Sequence, residues 1–267
     1  MRLAVLGTPA MAVPSLHALV AAGHDVAVVI TGADKRRGRG SELSPSPVKA
    51  AALEHGLLVS HVVDDVLGRD IDLGVVVAFG QLIRRHVLAA VPMVNSHFSL
   101  LPRWRGAAPV ERALLAGDTE TGVCLMRVDA GLDTGPVYDT VRVSIGAAIT
   151  AAELRASLVS VGVEQLVRCL AAPLPTPTDQ QGEPLYAAKI LASDLRIDWS
   201  QPAAQIDRVL RVGGAWTTFR GKRVKVLAAT LAGTELQVVT VQPEGKAAMS
   251  FDAFTRGMRL QAGEFFE

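Results

Sequence analysis

The chain contains little cysteine, and neither sign of charge is in excess. Cys124 and Cys169, its two cysteines, have the spacing of neither a disulfide framework nor a metal site. The 27 basic and 26 acidic side chains nearly cancel, which excludes a globally basic nucleic-acid binder. Any contact with nucleic acid must then come from a local patch. The longest apolar runs are far too short to cross a bilayer.

Two further patterns are missing. The turn after the first predicted strand contains a single glycine, Gly7, where a dinucleotide fingerprint needs three, so we expect no nicotinamide or flavin cofactor there. The apolar start runs directly into this turn and lacks the pattern of a cleavable signal. No histidine has the spacing of a metal ligand set, and no metal is expected. We therefore expect a cytoplasmic protein without a membrane partner, and we take it to be a monomer.

Alternating strands and helices dominate the first 172 residues. Residues 2–6, 13–22 and 25–31 are predicted to be strand, helix and strand, which is the βαβ unit of a parallel sheet. The later elements of this part are helices at 47–55, 82–90, 108–116 and 150–171, and strands at 72–79, 121–129 and 137–145. The predicted fold class is therefore α/β, with a Rossmann-like domain over residues 1–172 built on a mostly parallel sheet.

The composition changes after residue 172. Prolines at alternate positions from Pro173 stiffen a segment that cannot pack, so residues 173–196 are predicted to be a linker. Residues 197–267 are predicted to form a smaller β-rich, OB-like domain whose barrel is trimmed, because little chain separates its strands. The elements predicted for this domain are a helix at 202–211 and strands at 222–228 and 236–241.

Polar side chains interrupt an apolar strand pattern at residues 94–106. In an extended chain alternate side chains share a face, so Asn95 and His97 point to the same side. Pro102 disfavours helix at the residue before it and Gly106 permits a turn, so a loop follows the strand. Open α/β sheets bind ligands in such loops, at the carboxyl ends of their strands. This stretch is therefore the first candidate for a functional site.

Asp133 adds a carboxylate to this candidate, in a turn between Gly131 and Gly135. A histidine held by a carboxylate carries protons near neutral pH, and an amide donor stabilises an oxyanion. Asn95, His97 and Asp133 are thus the candidate catalytic set. The alternative is structural, with Asp133 capping its own turn and His97 satisfied in the core.

Two basic segments offer contacts to nucleic acid. The first places four basic side chains among two glycines: Lys35, Arg36, Arg37 and Arg39. The second, residues 208–225, has six basic side chains and no acidic one, together with Trp216 and Phe219. These aromatic residues are either a stacking platform or part of the core. Charge runs usually end as solvated loops, but two such patches together favour nucleic acid.

Several motifs together resemble the folate-dependent formyltransferase family. The central run consists of Asn95-Ser96-His97, Ser99-Leu100-Leu101-Pro102, Arg105-Gly106 and Pro109. The motifs elsewhere include Gly7-Thr8-Pro9, Asp133-Thr134-Gly135, Arg196-Ile197-Asp198-Trp199 and Gly245-Lys246-Ala247-Ala248-Met249. They extend over nearly the whole chain and are jointly specific.

The resemblance implies an enzyme that takes a formyl group from 10-formyltetrahydrofolate, bound as a co-substrate, and transfers it to an amine. The implied acceptor is the α-amino group of methionine esterified to initiator tRNA. Asn95, His97 and Asp133 match the family's catalytic set. The implied folate site contains Phe79, Gly80, Leu82, Ser99, Leu100, Leu101 and Pro102, and the implied tRNA contacts are Lys35, Arg36, Arg37, Arg39, Lys222 and Arg223.

Two alternatives stay open. A sibling enzyme would use the same three residues to formylate an amino sugar nucleotide or to hydrolyse the formyl group, and an RNA-binding protein would keep the fold without catalysis. The basic segment at Lys35 argues against the first, and the intact catalytic set argues against the second. One departure from the family pattern is Phe98, which stands where a small residue is common and so affects the expected shape of the folate pocket.

Overall fold

The computed structural model describes residues 1–36, 43–261, 264 and 266–267. The chain forms two compact units. Unit 1 consists of Met1–Gly106, Glu120–Ser144 and Arg155–Tyr186, and unit 2 consists of Ala107–Thr119, Ile145–Leu154 and Ala187–Glu267. Two short segments that precede residue 172 therefore belong to unit 2.

The secondary structure follows the alternating order that the sequence predicts. The helices are α1 Val13–Ala21, α2 Pro47–Glu54, α3 Arg85–Ala90, α4 Pro109–Ala116, α5 Ala151–Leu170, α6 Ala203–Val212 and α7 Phe251–Met258. The strands are β1 Arg2–Gly7, β2 Asp25–Ile30, β3 Lys35–Arg36, β4 Leu43–Ser44, β5 Val59–Ser60, β6 Leu73–Val77, β7 Met93–His97, β8 Arg105–Gly106, β9 Glu120–Arg127, β10 Val137–Ser144, β11 Tyr186–Ala187, β12 Trp216–Phe219, β13 Lys222–Ala232, β14 Glu235–Pro243 and β15 Met249–Ser250. Within the described ranges, no helix is both long enough and apolar enough to span a membrane.

Unit 1 is built on a mostly parallel sheet with the strand order β10-β9-β7-β6-β1-β2-β5. Strands β7, β6, β1, β2 and β5 run parallel to one another. At one edge of the sheet, β9 pairs antiparallel with β7, and β10 pairs antiparallel with β9. Every residue of β6 is buried, and so is every residue of β1 except Arg2. Such continuous burial is typical of a sheet covered on both faces. The predicted α/β, Rossmann-like class is confirmed.

The topology determines where a ligand site belongs. The chain builds the sheet outward from β1 through β2 to β5, and then returns to the other side of β1 with β6. Open α/β sheets bind ligands at the carboxyl ends of the strands beside such a reversal. Because β6 and β7 are parallel neighbours, the loops that follow them leave from the same edge of the sheet.

Capping hydrogen bonds explain where two of the helices begin. The Ser46 hydroxyl accepts a hydrogen bond from the Lys49 N–H at 3.0 Å and begins α2. Thr150 and Glu153 bond each other reciprocally at the start of α5, which is the predicted capping box. The helix predicted at 82–90 is shorter, because its helical turns begin only at Arg85.

Unit 2 contains an antiparallel sheet with the strand order β12-β13-β14-β15. Burial alternates along much of β14, so one face of this sheet is covered and the other is in contact with solvent. Ile206 of α6 packs with Val226, and Phe254 of α7 packs with Val241, in two apolar clusters of the covered face. This is the small β-rich domain that the sequence predicts, and its described sheet has one strand fewer than the five of an OB barrel.

Candidate active site

The carboxyl end of β7 brings the three candidate catalytic side chains together in unit 1. Asn95 Nδ2 lies 3.4 Å from Asp133 Oδ1, and His97 Nδ1 lies 3.7 Å from Asp133 Oδ2. The side chains of His97 and Asp133 are 6% and 14% exposed. The amide, the imidazole and the carboxylate therefore share one site that is largely closed to solvent.

A backbone carbonyl orients the His97 ring. Its Nε2 lies 3.0 Å from the carbonyl oxygen of Trp104. A carbonyl oxygen only accepts hydrogen bonds, so Nε2 carries a proton and donates it, which assigns the tautomer of the neutral ring. Nδ1 is then the nitrogen that faces the Asp133 carboxylate and is available for proton transfer.

The Asp133 carboxylate is held from another loop. Its Oδ2 accepts a hydrogen bond from the Gly106 N–H at 2.8 Å, so it does more than cap its own turn. The backbone of Asp133 is left-handed, with a φ of 51°, and that of Trp104 is likewise left-handed at 63°. Side chains rarely adopt this conformation, and it persists where the surroundings impose it. Asp133 and Trp104, which both contact the His97 ring, therefore lie on constrained backbone.

Gly135 has to be glycine for the Asp133 loop to lie where it does. A Cβ at this position would come within 2.0 Å of the carbonyl oxygen of Arg127, the last residue of β9. The close approach presses the loop against the end of the sheet, beside β7. Gly135, one of the two glycines that indicate a turn in the sequence, thus also lets the Asp133 loop lie close to the sheet.

The predicted folate residues lie in the two loops that leave β6 and β7. Phe79 packs against the apolar core of unit 1, whereas Leu82 is 80% exposed. Ser99 is fully buried, and its hydroxyl donates to the Arg103 carbonyl at 2.6 Å, so it shapes its own loop. Gly80, Leu100, Leu101 and Pro102 belong to the same two loops.

Phe98 is a buried residue that lies against α5. The residue is 6% exposed, and its Cε1 lies 3.5 Å from the place that a Cβ on Gly162 of α5 would occupy. A Cβ at Gly162 would make an ordinary van der Waals contact with this ring. The large side chain that departs from the family pattern is therefore packed against α5.

One further reactive group lies beside this site, because Cys124 of β9 pairs directly with His97 of β7. Cys124 is buried in β9, and burial raises the pKa of its thiol, so the neutral and unreactive form prevails. In the part of the chain that the structure describes, no three histidine, cysteine or carboxylate side chains are grouped so that they can hold a metal ion.

The basic segment of unit 1 is only partly described. Lys35 and Arg36 are exposed and form β3, which pairs with β4. Lys49 Nζ and Asp34 Oδ2 form an ion pair of 2.7 Å just before this strand. The predicted contacts Arg37 and Arg39 lie outside the described residues.

The two aromatic residues in the basic segment of unit 2 have different environments. Phe219 is 3% exposed and belongs to the core. Trp216 is partly exposed, and the guanidinium groups of Arg223 and Arg196 lie 4.2 Å and 5.7 Å from its ring centre. Lys222 is exposed next to Arg223. Of the two aromatic residues, only Trp216 is available at a basic surface.

Three groups that hold the site could not be recognised from the sequence. The Trp104 carbonyl and the Gly106 N–H are backbone groups, whose roles residue type does not reveal. Gln180 lies in the segment predicted to be a linker, yet its Nε2 donates to the carbonyls of Asp133 and Gly135, each at 2.8 Å. A lone glutamine among prolines carries no signal that would have distinguished it.

Comparison with known proteins agrees with this architecture. Residues 1–170 match the family described as formyl transferase, and residues 189–237 match the family of its C-terminal domain. The chain is 46% identical to a methionyl-tRNA formyltransferase of Dinoroseobacter shibae, over 99% of this chain and 91% of that protein.

Two solved structures share the fold. One is a methionyl-tRNA formyltransferase from Clostridium thermocellum, with 15% identity and a TM-score of 0.66 over 91% of this chain and 98% of that one. The other is an N-formyltransferase from Helicobacter canadensis, solved with folinic acid and dTDP-3-aminofucose, with 19% identity and a TM-score of 0.68 over 86% of this chain and 87% of that one. The sequence matches extend over the parts of the chain that form both sheets, and they show that the chain belongs to the formyl transferase family.

Proposed function

We propose that this enzyme transfers a formyl group from 10-formyltetrahydrofolate to the α-amino group of methionyl initiator tRNA, and so makes formylmethionyl-tRNA for translation initiation. One observation carries the proposal. The amide of Asn95, the imidazole of His97 and the carboxylate of Asp133 converge at the carboxyl end of β7, in a chain 46% identical to a methionyl-tRNA formyltransferase. We take the protein to be a cytoplasmic monomer without a membrane partner.

Asn95 and His97 stabilise the charge that develops during the transfer. When the acceptor amine attacks the formyl carbon, the formyl oxygen becomes negative. Asn95 Nδ2 and protonated His97 Nδ1 donate hydrogen bonds to this oxygen, from positions that already converge on Asp133. Because both donors are set before the reaction begins, little reorganisation accompanies the charge development. In this proposal, side chains polarise the formyl group and no metal takes part.

Asp133 and His97 assist the proton transfers of the proposed reaction. The attacking amine loses a proton as its new bond to carbon forms, and N10 of the folate gains one as its bond to carbon breaks. The Asp133 carboxylate lies 3.7 Å from His97 Nδ1 and compensates the positive charge of the protonated ring, and in this proposal it also passes the amine proton toward N10. The proton that the amine loses thus matches the proton that N10 gains, and no covalent enzyme intermediate is needed.

The loops after β6 and β7 are the proposed folate site, and the basic segments are the proposed tRNA contacts. We assign the chemistry and the first basic segment to a catalytic domain over residues 1–172, the second basic segment to a tRNA-binding type of domain over residues 197–267, and the linker to residues 173–196. Lys222 and Arg223 are exposed on unit 2, where the Arg223 guanidinium covers the Trp216 ring, and such a surface suits a phosphate backbone.

One assay separates this function from its alternatives. The purified chain is given 10-formyltetrahydrofolate with charged initiator tRNA, with amino sugar nucleotides, or with no acceptor. We expect formyl transfer to the tRNA alone. Transfer to the sugar, or hydrolysis without an acceptor, would identify the sibling activity, and tRNA binding with no transfer would identify an RNA-binding protein.

Replacing Arg39 or Arg223 by alanine tests the tRNA contacts. Each change is expected to raise the KM for tRNA several-fold and to lower the salt dependence of binding by about one counterion, while folate binding is unchanged. Arg142→Ala is the control, because this exposed arginine pairs with Glu120 at the sheet edge of unit 1. Equal losses of tRNA and folate binding would show that the replaced residue is structural.

A further inference from the structure

Gln180 makes four hydrogen bonds that join two loops of unit 1. Its Nε2 donates to the Asp133 and Gly135 carbonyls, each at 2.8 Å. Its Oε1 accepts from Arg105 Nε at 3.0 Å and from the terminal nitrogen Nη2 at 2.7 Å. An amide has two donor hydrogens and two acceptor lone pairs, so every hydrogen-bonding position of this side chain is used. A flipped amide would put donors against the guanidinium and oxygen against two carbonyls, so only this orientation fits.

These contacts close a ring around the carboxylate. Gln180 holds Asp133 through its backbone carbonyl, and it holds Arg105, the neighbour of Gly106. The Gly106 N–H in turn holds the Asp133 carboxylate. Asp133 is thus held at its main-chain carbonyl by Gln180, a contact called the clamp below, and at its carboxylate by the Gly106 N–H. A side-chain-bearing residue keeps a left-handed backbone where its surroundings impose it, and these two contacts do so for Asp133.

The backbone around Gln180 is itself anchored. Thr178 and Val137 exchange two backbone hydrogen bonds, both at 2.8 Å, two residues before Gln180. Five residues after it, the Leu185 carbonyl accepts from the Arg105 N–H at 2.8 Å. The segment is therefore fastened on both sides of Gln180, to the start of β10 and to the loop after β7. This gives the amide a fixed base from which to hold Asp133.

We infer that Gln180 is a positioning residue for formyl transfer, which keeps the Asp133 carboxylate beside His97 Nδ1. The inference rests on the function proposed above. Gln180 is not a catalytic residue, because its contacts are to protein groups and it acts through Asp133. Misplacement of a reacting group by about 1 Å costs up to about 100-fold in rate, so loss of the clamp lowers kcat more than it changes KM.

Two substitutions separate positioning of Asp133 from support of Arg105. Gln180→Glu keeps the acceptor for Arg105 but replaces both donors with an oxygen that repels two carbonyls. Gln180→Ala removes all four hydrogen bonds. We expect both to lower kcat for tRNA formylation by about 10- to 100-fold, with KM for tRNA and folate within about twofold. Wild-type kcat in Gln180→Glu would overturn the inference, because the Arg105 contact alone would then be sufficient.

Gln181→Ala is the matched control. Gln181 is the next residue, is exposed, and bonds only weakly to the Asp179 carbonyl of its own segment at 3.4 Å. We expect it to retain wild-type kcat, and a loss equal to that of Gln180→Ala would mean that the whole segment, rather than this amide, sets the rate.

Crystal structures of the wild type and Gln180→Glu keep this test separate from the test of function. We expect the distance between Asp133 Oδ2 and His97 Nδ1 to lengthen by about 1 Å or more in the variant. An unchanged distance would refute the positioning role. This comparison decides about Gln180 even if the wild-type protein formylates no tRNA, a result that would instead refute the proposed function.

Discussion

Two histidine–carboxylate pairs among the described residues of unit 1 differ in their surroundings. His86 Nε2 lies 3.1 Å from Asp64 Oδ2, and these side chains are 50% and 43% exposed. His97 Nδ1 lies farther from its carboxylate, at 3.7 Å from Asp133 Oδ2, but these side chains are only 6% and 14% exposed. The closer pair is about half exposed to solvent, and the wider pair is in contact with the Asn95 amide, the Trp104 carbonyl and the Gly106 N–H.

The comparison teaches that separation alone does not identify a reacting pair. Water screens charges at an exposed surface, so a short distance there has little energetic consequence. In a site closed to water the same charges act strongly, and further polar groups can be aimed at one reacting atom. The predictions below test whether this difference in surroundings, rather than the pairing itself, determines function.

The largest expected effect is that of removing one imidazole from each pair. His97→Ala is expected to lower kcat for tRNA formylation by about 1000-fold, because it removes both an oxyanion donor and a proton carrier. His86→Ala should stay within about twofold of the wild type. Steady-state kinetics with both variants make the comparison. Similar losses in the two would indicate a general effect on the fold and contradict the assignment.

A smaller effect is expected when the carboxylates are neutralised. Asp133→Asn keeps the size of the side chain but removes the charge that faces His97 Nδ1, and we expect kcat to fall by about 100-fold. Asp64→Asn is the matched change in the exposed pair and should leave kcat unchanged. If Asp133→Asn had wild-type kcat, charge compensation by this carboxylate would not be part of the mechanism.

The smallest effect concerns stability. A double-mutant cycle on His86 and Asp64, followed by urea unfolding, is expected to give a coupling free energy of about 0.5 kcal/mol or less, which declines further as salt is added. A coupling of about 2 kcal/mol that resists salt would show that the surface pair is not screened. The contrast between the two pairs would then need another explanation.

The sequence predicts the helices and strands of this fold better than it predicts the contacts between its loops. The βαβ start follows from hydrophobic periodicity, and alternation along β7 places Asn95 and His97 on one face. Strand β12 and helix α7 were missed, although Phe251, Phe254 and Met258 have the spacing of a helix face.

The candidate site was predictable only in its side chains. Asp133 was selected by the glycines around it, but nothing local indicates that its carboxylate reaches the Gly106 N–H. The clamp by Gln180 depends on the return of a proline-rich segment to the sheet, a long-range contact that composition describes only as stiff chain. Long-range backbone contacts of this kind become visible only in the folded structure.

The most direct test of the account is a crystal structure of the protein with 10-formylfolate, a stable oxidised analogue of the donor. The account predicts that the formyl oxygen lies about 2.7 to 3.2 Å from both Asn95 Nδ2 and His97 Nδ1, at the carboxyl end of β7. A formyl group bound more than about 6 Å from both nitrogens, beyond any hydrogen bond, would contradict it.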